Sequence, residues 1–457
     1  MMPLCLLTRG VMEIEISHYS KRGHGLGKVG TKEAEVVGAV VGDTLSVELG
    51  KRKKRKHQAT LLEVLNPSSQ RVTPRCVHAG VCGGCSWQQK AYTSQLQTKQ
   101  ETLQKLFPIK AEPIIPCEDP WYYRNKMEFS FSQNKEGDHF LGLIIARSRG
   151  HVLNLEMCHL TSPWFVQVLL SVKKWWVESG LQAYHTFRDT GALRTLTVRE
   201  GKRTGDKMVF LTVSGNHDYF LNRTQLKNFQ EAVLSALPND NPSIFLRIQR
   251  LAKGKPTEFY EMHLQGPELL TEYLEIQGRK MQFHISPASF FQPNPRQAEK
   301  LYAQALTLAA PCSTDTVFDL YCGTGTLGVV FAPYVHKVVG MELSPYAVCD
   351  AEMNIEANQL TNISIRRGDV GDLLEKSSES PDIVIVDPPR SGLDPTALKH
   401  LLRLSPPKIL YISCNPTTQS ENISTFLEQG YFLQAIQPVD QFPHTPHVEN
   451  IAILLKP

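Results

Sequence analysis

From Thr316 onward the sequence alternates short apolar strands with helical stretches, and this alternation restricts the last third of the chain to a parallel, doubly wound α/β sheet. Strands are expected at 317–321, 338–343, 363–367, 383–387 and 409–414, with helices at 327–334, 346–358 and 395–404. Segments 432–439 and 448–455 then read as a closing antiparallel hairpin. Open α/β sheets bind ligands outside the carboxyl ends of their strands, so the residues that end these strands carry most of the functional information.

The first strand runs into Asp319-Leu320-Tyr321-Cys322-Gly323-Thr324-Gly325-Thr326-Leu327-Gly328, a glycine-rich turn opening a helix. Gly323, Gly325 and Gly328 match the dinucleotide spacing, and Glu342 ends the second strand where an acid meets a ribose. A nucleotide-type cofactor follows, and the turn by itself also suits a nicotinamide-dependent oxidoreductase. Two later motifs discriminate. Asp387-Pro388-Pro389-Arg390 ends one strand with a carboxylate braced by two prolines, and Ser413-Cys414-Asn415-Pro416 puts a thiol at the end of the next. The loop from Asp440 to His447 leads into Glu449, so carboxylate, thiol and carboxylate converge on one rim. Hydride transfer has no evident need for that set. Methylation of uracil at C5 does need it: a thiolate adding to C6 makes C5 nucleophilic, and a base must then remove the C5 proton. Cys414 is the expected nucleophile and Glu449 the expected base, with Asp387 positioning the uracil edge. His444 and His447 lack a third ligand and are not expected to hold a metal.

The N-terminal part has a different vocabulary. Residues 1–75 hold thirteen Lys/Arg against seven Asp/Glu, a net +6 in a chain whose total is +4, so the remainder is slightly acidic. Most of the excess is Lys51-Arg52-Lys53-Lys54-Arg55-Lys56, expected at a hairpin tip in a small β-barrel and suited either to a solvated loop or to a polyphosphate backbone. Cys76, Cys82 and Cys85 follow in a glycine-rich loop, and Cys158 lies downstream. Four thiolates suit Zn²⁺ or an iron–sulfur cluster, and spacing does not choose between them. Cys5, Cys117, Cys312, Cys322 and Cys349 are expected to be packing residues. The middle of the chain reads as α+β, with Trp175 and Trp176 turned inward; Tyr122 and Tyr123 suit the core better than RNA stacking. No apolar run reaches the roughly 18–20 residues that cross a bilayer, so a cytoplasmic protein with reduced thiols is expected.

With these residues in place, the sequence resembles the RNA uracil-5 methyltransferase family, which uses S-adenosyl-L-methionine. Five motifs carry the resemblance in order: Ser289-Phe290-Phe291-Gln292-Pro293-Asn294, the glycine turn from Asp319, Asp387-Pro388-Pro389-Arg390, Ser413-Cys414-Asn415-Pro416, and His447-Val448-Glu449-Asn450. The resemblance implies a TRAM-like (OB-like) barrel over 12–66. It implies an iron–sulfur loop and central α+β RNA-binding domain over 67–285, with a helix at 91–117 packing on the catalytic domain. A Rossmann-like methyltransferase domain would occupy 286–457. It further implies that Gln292, Tyr321, Glu342, Asp369 and Asp387 line the S-adenosyl-L-methionine site, and that Cys414 and Glu449 are catalytic. Cys76, Cys82, Cys85 and Cys158 would hold a [4Fe-4S] cluster. The cluster-bearing branch points to 23S rRNA as substrate, with tRNA the alternative, and to a monomer. Residues before Met12 match nothing in the family, so Met12 is a second possible start.

Overall fold

The computed structural model describes residues 11–53, 56–251, 254 and 257–457. Cys5 and the start at Met1 lie outside the described residues, as do Lys54 and Arg55 of the basic run. The chain forms two compact units. The first comprises the chain through Thr98 with Ser130–His159 and Phe442–Pro446; the second comprises Lys99–Phe129, Leu160–Gln441 and His447–Pro457.

In the first unit, Val11–Tyr19, Gly25–Val29, Lys32–Val36, Thr44–Lys53 and Lys56–Asn66 form a closed five-stranded barrel. Alternation decides which side chains go inside: Ile14, Ile16, Ala34, Val36, Leu45 and Val47 fill the interior, while Glu13 and Glu15 face out. Gly27 is required where strands pinch, because a Cβ there would lie 2.2 Å from the Glu15 carbonyl oxygen. Buried Asp43 locks the base of the barrel: it accepts the amides of Val40 and Ser68 and pairs with the Arg71 guanidinium at 2.6 Å. The basic run sits at the Thr44–Lys53/Lys56–Asn66 hairpin, where Lys53 is paired with Lys56.

The second unit contains two large sheets of different character, besides the two-stranded pair Leu270–Ile276 and Arg279–Ile285. Leu193–Glu200, Lys207–Ser214, Ser243–Arg250 and Glu258–Gln265 lie side by side, with Glu258–Gln265 outermost. Helix Trp164–Ser179 packs on Leu193–Glu200 and on helix Arg223–Ala236, burying Trp175 and Trp176 as expected. Tyr123 is buried too, whereas Tyr122 is half-buried.

The other sheet has the order Ile363–Arg367, Lys337–Glu342, Thr316–Leu320, Ile383–Val386, Lys408–Ser413, Glu449–Leu455, Phe432–Val439. The first five are parallel, and Glu449–Leu455 runs antiparallel to both of its neighbours. Both faces are buried, which explains the near-continuous apolar strands. Val317, Val338, Ile383, Ile385, Leu410 and Ile412 enter one core, whereas Phe318, Leu320, Val339, Met341, Val384 and Val386 enter the other. Leu103 of helix Tyr92–Gln104 joins the second of these cores with Phe107 and Ala111 beyond the helix, which is shorter than the expected 91–117. Chain order reverses between Thr316–Leu320 and Ile383–Val386, which places a ligand crevice at the ends of those strands.

Candidate active site

The glycine turn emerges at this crevice with three left-handed residues, Tyr321 (φ 60°), Gly323 (φ 54°) and Gly325 (φ 74°). Tyr321 is not a glycine and needs an anchor. Its phenol donates to Asp394 Oδ2 at 2.9 Å, while Asp394 Oδ1 accepts the amides that open helix Pro395–Leu404. Burial pushes the Tyr321 hydroxyl well above its ordinary range. Behind the turn, fully buried Asp319 accepts the Gly328 amide at 2.9 Å and is pushed up to about 8 by burial. Glu342 ties the turn to the second strand, accepting the Gly323 amide at 3.0 Å and the Ser344 amide at 2.7 Å. Asp369 caps helix Val370–Lys376 at the end of the neighbouring strand. Gln292 is buried, accepts from Gln441 Nε2 at 3.3 Å, and has its carbonyl held by Asn125.

The reacting rim lies at the ends of the next strands. Asp387 follows Ile383–Val386, is half-buried, and is pushed up to about 7 by desolvation. Ser413 pairs with Asn450, so Cys414 and Glu449 occupy the adjoining positions across the antiparallel pair. Asn450 is clamped by Gln419, whose amide also binds the Tyr411 carbonyl at 2.9 Å, and this fixes where the Glu449 strand begins. Burial pushes the Cys414 thiol up to about 11, and the Glu449 and Asp387 carboxylates add to the shift. Glu449 is itself raised well above the carboxylate range by burial and then by Asp387. One cation opposes all of this. Arg390 hydrogen-bonds the Cys414 thiol and lowers both Cys414 and Glu449. Its backbone carbonyl is held by Asn415 Nδ2 at 2.9 Å and by Thr418 Oγ1 at 3.4 Å.

Arg390 stood inside a motif singled out in the sequence, yet its part was missed. Sequence position next to two prolines gave no sign that its side chain returns to a thiol 24 residues later. His447 is pushed down to about 4, first by burial and then by Arg390, Lys99 and Arg124, so it is neutral beside the site at pH 7.

In the first unit, Cys76, Cys82, Cys85 and Cys158 are all free and half-buried. They sense one another electrostatically: burial raises Cys76, Cys82 and Cys85 first, and Cys158 adds to each. Gly83 packs so tightly that a Cβ would lie 2.6 Å from the Ile144 carbonyl oxygen. Among the described residues no group of three or more His, Cys, Asp or Glu is arranged to hold an ion. The single cysteines need correction. Cys117 and Cys322 are buried, but Cys312 and Cys349 are exposed, the latter because helix Pro345–Ala357 buries Val348, Ala351 and Asn354 on its opposite side.

Among the described residues no helix is long and apolar enough to cross a membrane.

Comparison with known proteins agrees with this geometry. The family described as tRNA (Uracil-5-)-methyltransferase matches residues 225–457. An uncharacterized RNA methyltransferase of Protochlamydia amoebophila is 49% identical over 93% of this chain and 100% of its own length. Another from Caldanaerobacter subterraneus subsp. tengcongensis is 34% identical over 98% of this chain and 99% of its own. Among solved structures, the Pyrococcus abyssi tRNA (uracil-54, C5)-methyltransferase in complex with S-adenosyl-L-homocysteine superposes with a TM-score of 0.76 at 26% identity, covering 97% of this chain and 99% of that one. The chain belongs to the RNA uracil-5 methyltransferase family and is an S-adenosyl-L-methionine-dependent enzyme acting on RNA.

Proposed function

We infer that the enzyme methylates C5 of one uridine by covalent catalysis through Cys414. The observation that carries this reading is the adjacency of Cys414 and Glu449 at the end of one strand pair, with Arg390 on the thiol. Arg390 favours loss of the thiol proton, and the Cys414 sulfur then bonds to C6 while the C5–C6 π electrons move toward C5 and O4. Bound S-adenosyl-L-methionine supplies the electrophilic methyl group and leaves as S-adenosyl-L-homocysteine. Glu449 takes the C5 proton, the C5–C6 double bond re-forms, and the thiolate departs. Asp387 holds the uracil edge, its pKa near neutrality letting it donate or accept. Gln292, Tyr321, Glu342, Asp369 and Asp387 hold the cofactor; Glu342 is suited to the ribose hydroxyls and Asp369 to the adenine. Family membership removes the nicotinamide alternative for the glycine turn.

The substrate reading is a uridine of 23S rRNA, supported by the combination of barrel, basic hairpin and four-cysteine loop. The full-length likeness to an archaeal tRNA (uracil-54, C5)-methyltransferase favours tRNA as the second reading. Cys76, Cys82, Cys85 and Cys158 hold a [4Fe-4S] cluster in the active protein. Four soft thiol donors without disulfides, folded within electrostatic reach of each other, suit that group, and so does a reducing cytoplasm. The enzyme acts as a monomer.

Mapping 5-methyluridine in rRNA and tRNA from cells with and without the protein decides the substrate. RNA carrying 5-fluorouridine should trap a covalent adduct on Cys414, and unchanged activity in Cys414→Ala would refute the mechanism. Anaerobically purified protein should be brown and contain iron; a colourless protein with stoichiometric zinc overturns the cluster.

A further inference from the structure

Glu258–Gln265, the outermost strand of its sheet, leaves large apolar side chains in water: Phe259 is 44% and Tyr260 49% exposed. Neighbours in sequence point to opposite faces of a strand, so burial of one face cannot account for both. Beneath Phe259 lies Arg247 of Ser243–Arg250. Its guanidinium stacks on the ring of fully buried Phe210 at 4.3 Å and lies 5.6 Å from the Phe259 ring. Its edge is occupied, since Nε and Nη2 both donate to Glu261 Oε1 at 2.9 and 2.6 Å. A guanidinium with its back on one ring and its edge on a carboxylate has little freedom left. Its exposed part, 12% of the side chain, is a flat, rigid surface whose charge Glu261 pairs.

This surface opens into a cleft of about 950 Å³ whose far wall is Gly323, Thr324 and Glu342 of the cofactor turn, with Phe290 and Tyr346 at its rim. That volume is at the upper end of the roughly 300–1,000 Å³ of small-molecule pockets, leaving room beyond one cofactor. At the end of Ser243–Arg250, Arg250 lies 6.0 Å from the Tyr260 ring.

We propose that Arg247 and Phe259 form a stacking platform for an unpaired RNA nucleotide next to the target uridine, continuous with the cofactor cleft. Unpaired bases stack on aromatic rings and guanidinium planes without sequence preference, and Arg250 suits the phosphate backbone. Because the Arg247 donors are occupied by Glu261, the residue acts through its plane rather than by reading a base edge. The platform deepens the proposed reading of an RNA substrate and rests on it.

The test uses the full-length protein with S-adenosyl-L-homocysteine and a short uridine-rich RNA single strand carrying 2-aminopurine at successive positions. Quenching of the 2-aminopurine on binding is expected at one or more positions. Phe259→Ala, a change at an exposed site, should abolish that quenching and weaken RNA binding about 5- to 100-fold. Arg247→Lys, which keeps the charge and loses the plane, should do the same. S-adenosyl-L-homocysteine affinity should stay unchanged in both. The platform is overturned if Arg247→Lys binds like the unaltered protein, if Phe259→Ala has no effect, or if cofactor affinity falls with RNA affinity, which would assign these residues to the cofactor. Failure to methylate any rRNA or tRNA would instead refute the catalytic reading and leave the stacking result standing.

Discussion

Replacing Glu449 by Gln tests the centre of the site, because it removes a charge and keeps the shape. Glu449 and Cys414 lie at adjoining positions across an antiparallel pair, where facing Cα atoms are about 4.5–5.5 Å apart. Two unit charges about 5 Å apart at an effective dielectric of about 20 repel by about 3 kcal/mol, equivalent to about 2 pH units. Without an ionised carboxylate there, the thiol that stands at about 11 should fall by up to about 2 pH units, so above the titration of Glu449 the thiolate fraction should rise by up to about 100-fold. The sign depends on pH. Burial and Asp387 keep Glu449 protonated well above the ordinary carboxylate range, and a neutral acid does not repel the thiolate. The two proteins should therefore be alkylated at converging rates as pH falls below the titration of Glu449, and their curves should separate as pH rises through it. Iodoacetamide labelling of the Cys414 peptide, followed by mass spectrometry between pH 6 and 10, reads this without RNA. Superimposed curves over the whole range would refute the electrostatic coupling. The same variant should stall after methyl transfer, so a covalent RNA–protein adduct should accumulate on ordinary uridine. Rapid turnover by Glu449→Gln would remove Glu449 as the base.

Other consequences follow from the cofactor crevice and the barrel. Asp319 has a folded pKa raised to about 8 by burial, so it adds stability that is fully present below about pH 4 and is lost as pH rises through about 8. Asp319→Asn can still accept the Gly328 amide and should flatten the fall of Tm between pH 5 and 8 by at least about 2 °C, measured by calorimetry. Gly325→Ala would put a side chain at φ 74° and a Cβ 3.1 Å from that of Ala351. The left-handed strain alone is about 1–2 kcal/mol, so S-adenosyl-L-homocysteine should bind about tenfold more weakly by titration calorimetry, and unchanged affinity would show that the turn does not shape the site. Changing all six residues from Lys51 to Lys56 to Ser should weaken RNA binding across sequences and lower the salt slope by about 0.9 for each phosphate that the run neutralises.

The residues legible in the sequence were those whose role is fixed by where a strand ends. Asp387 and Cys414 could be placed on one rim because a parallel sheet aligns its carboxyl ends, and Glu449 because its antiparallel strand begins there. What escaped were the contacts made across long stretches of chain. Tyr321 adopts a left-handed backbone because Asp394, 73 positions later, takes its phenol. Arg390 tunes Cys414 because Asn415 and Thr418 hold its carbonyl in place. The strand Glu258–Gln265 lacks clean alternation, since Phe259 and Tyr260 are adjacent and both exposed, so periodicity gave it no face to bury. That failure has a physical reading. A strand that need not bury a face is free to spend its aromatic residues on a ligand, and here two of them border the cleft that contains the cofactor turn. Cys349 shows the opposite lesson. Val348 and Ala351 set the buried side of helix Pro345–Ala357, and the spacing already turned Cys349 away from it.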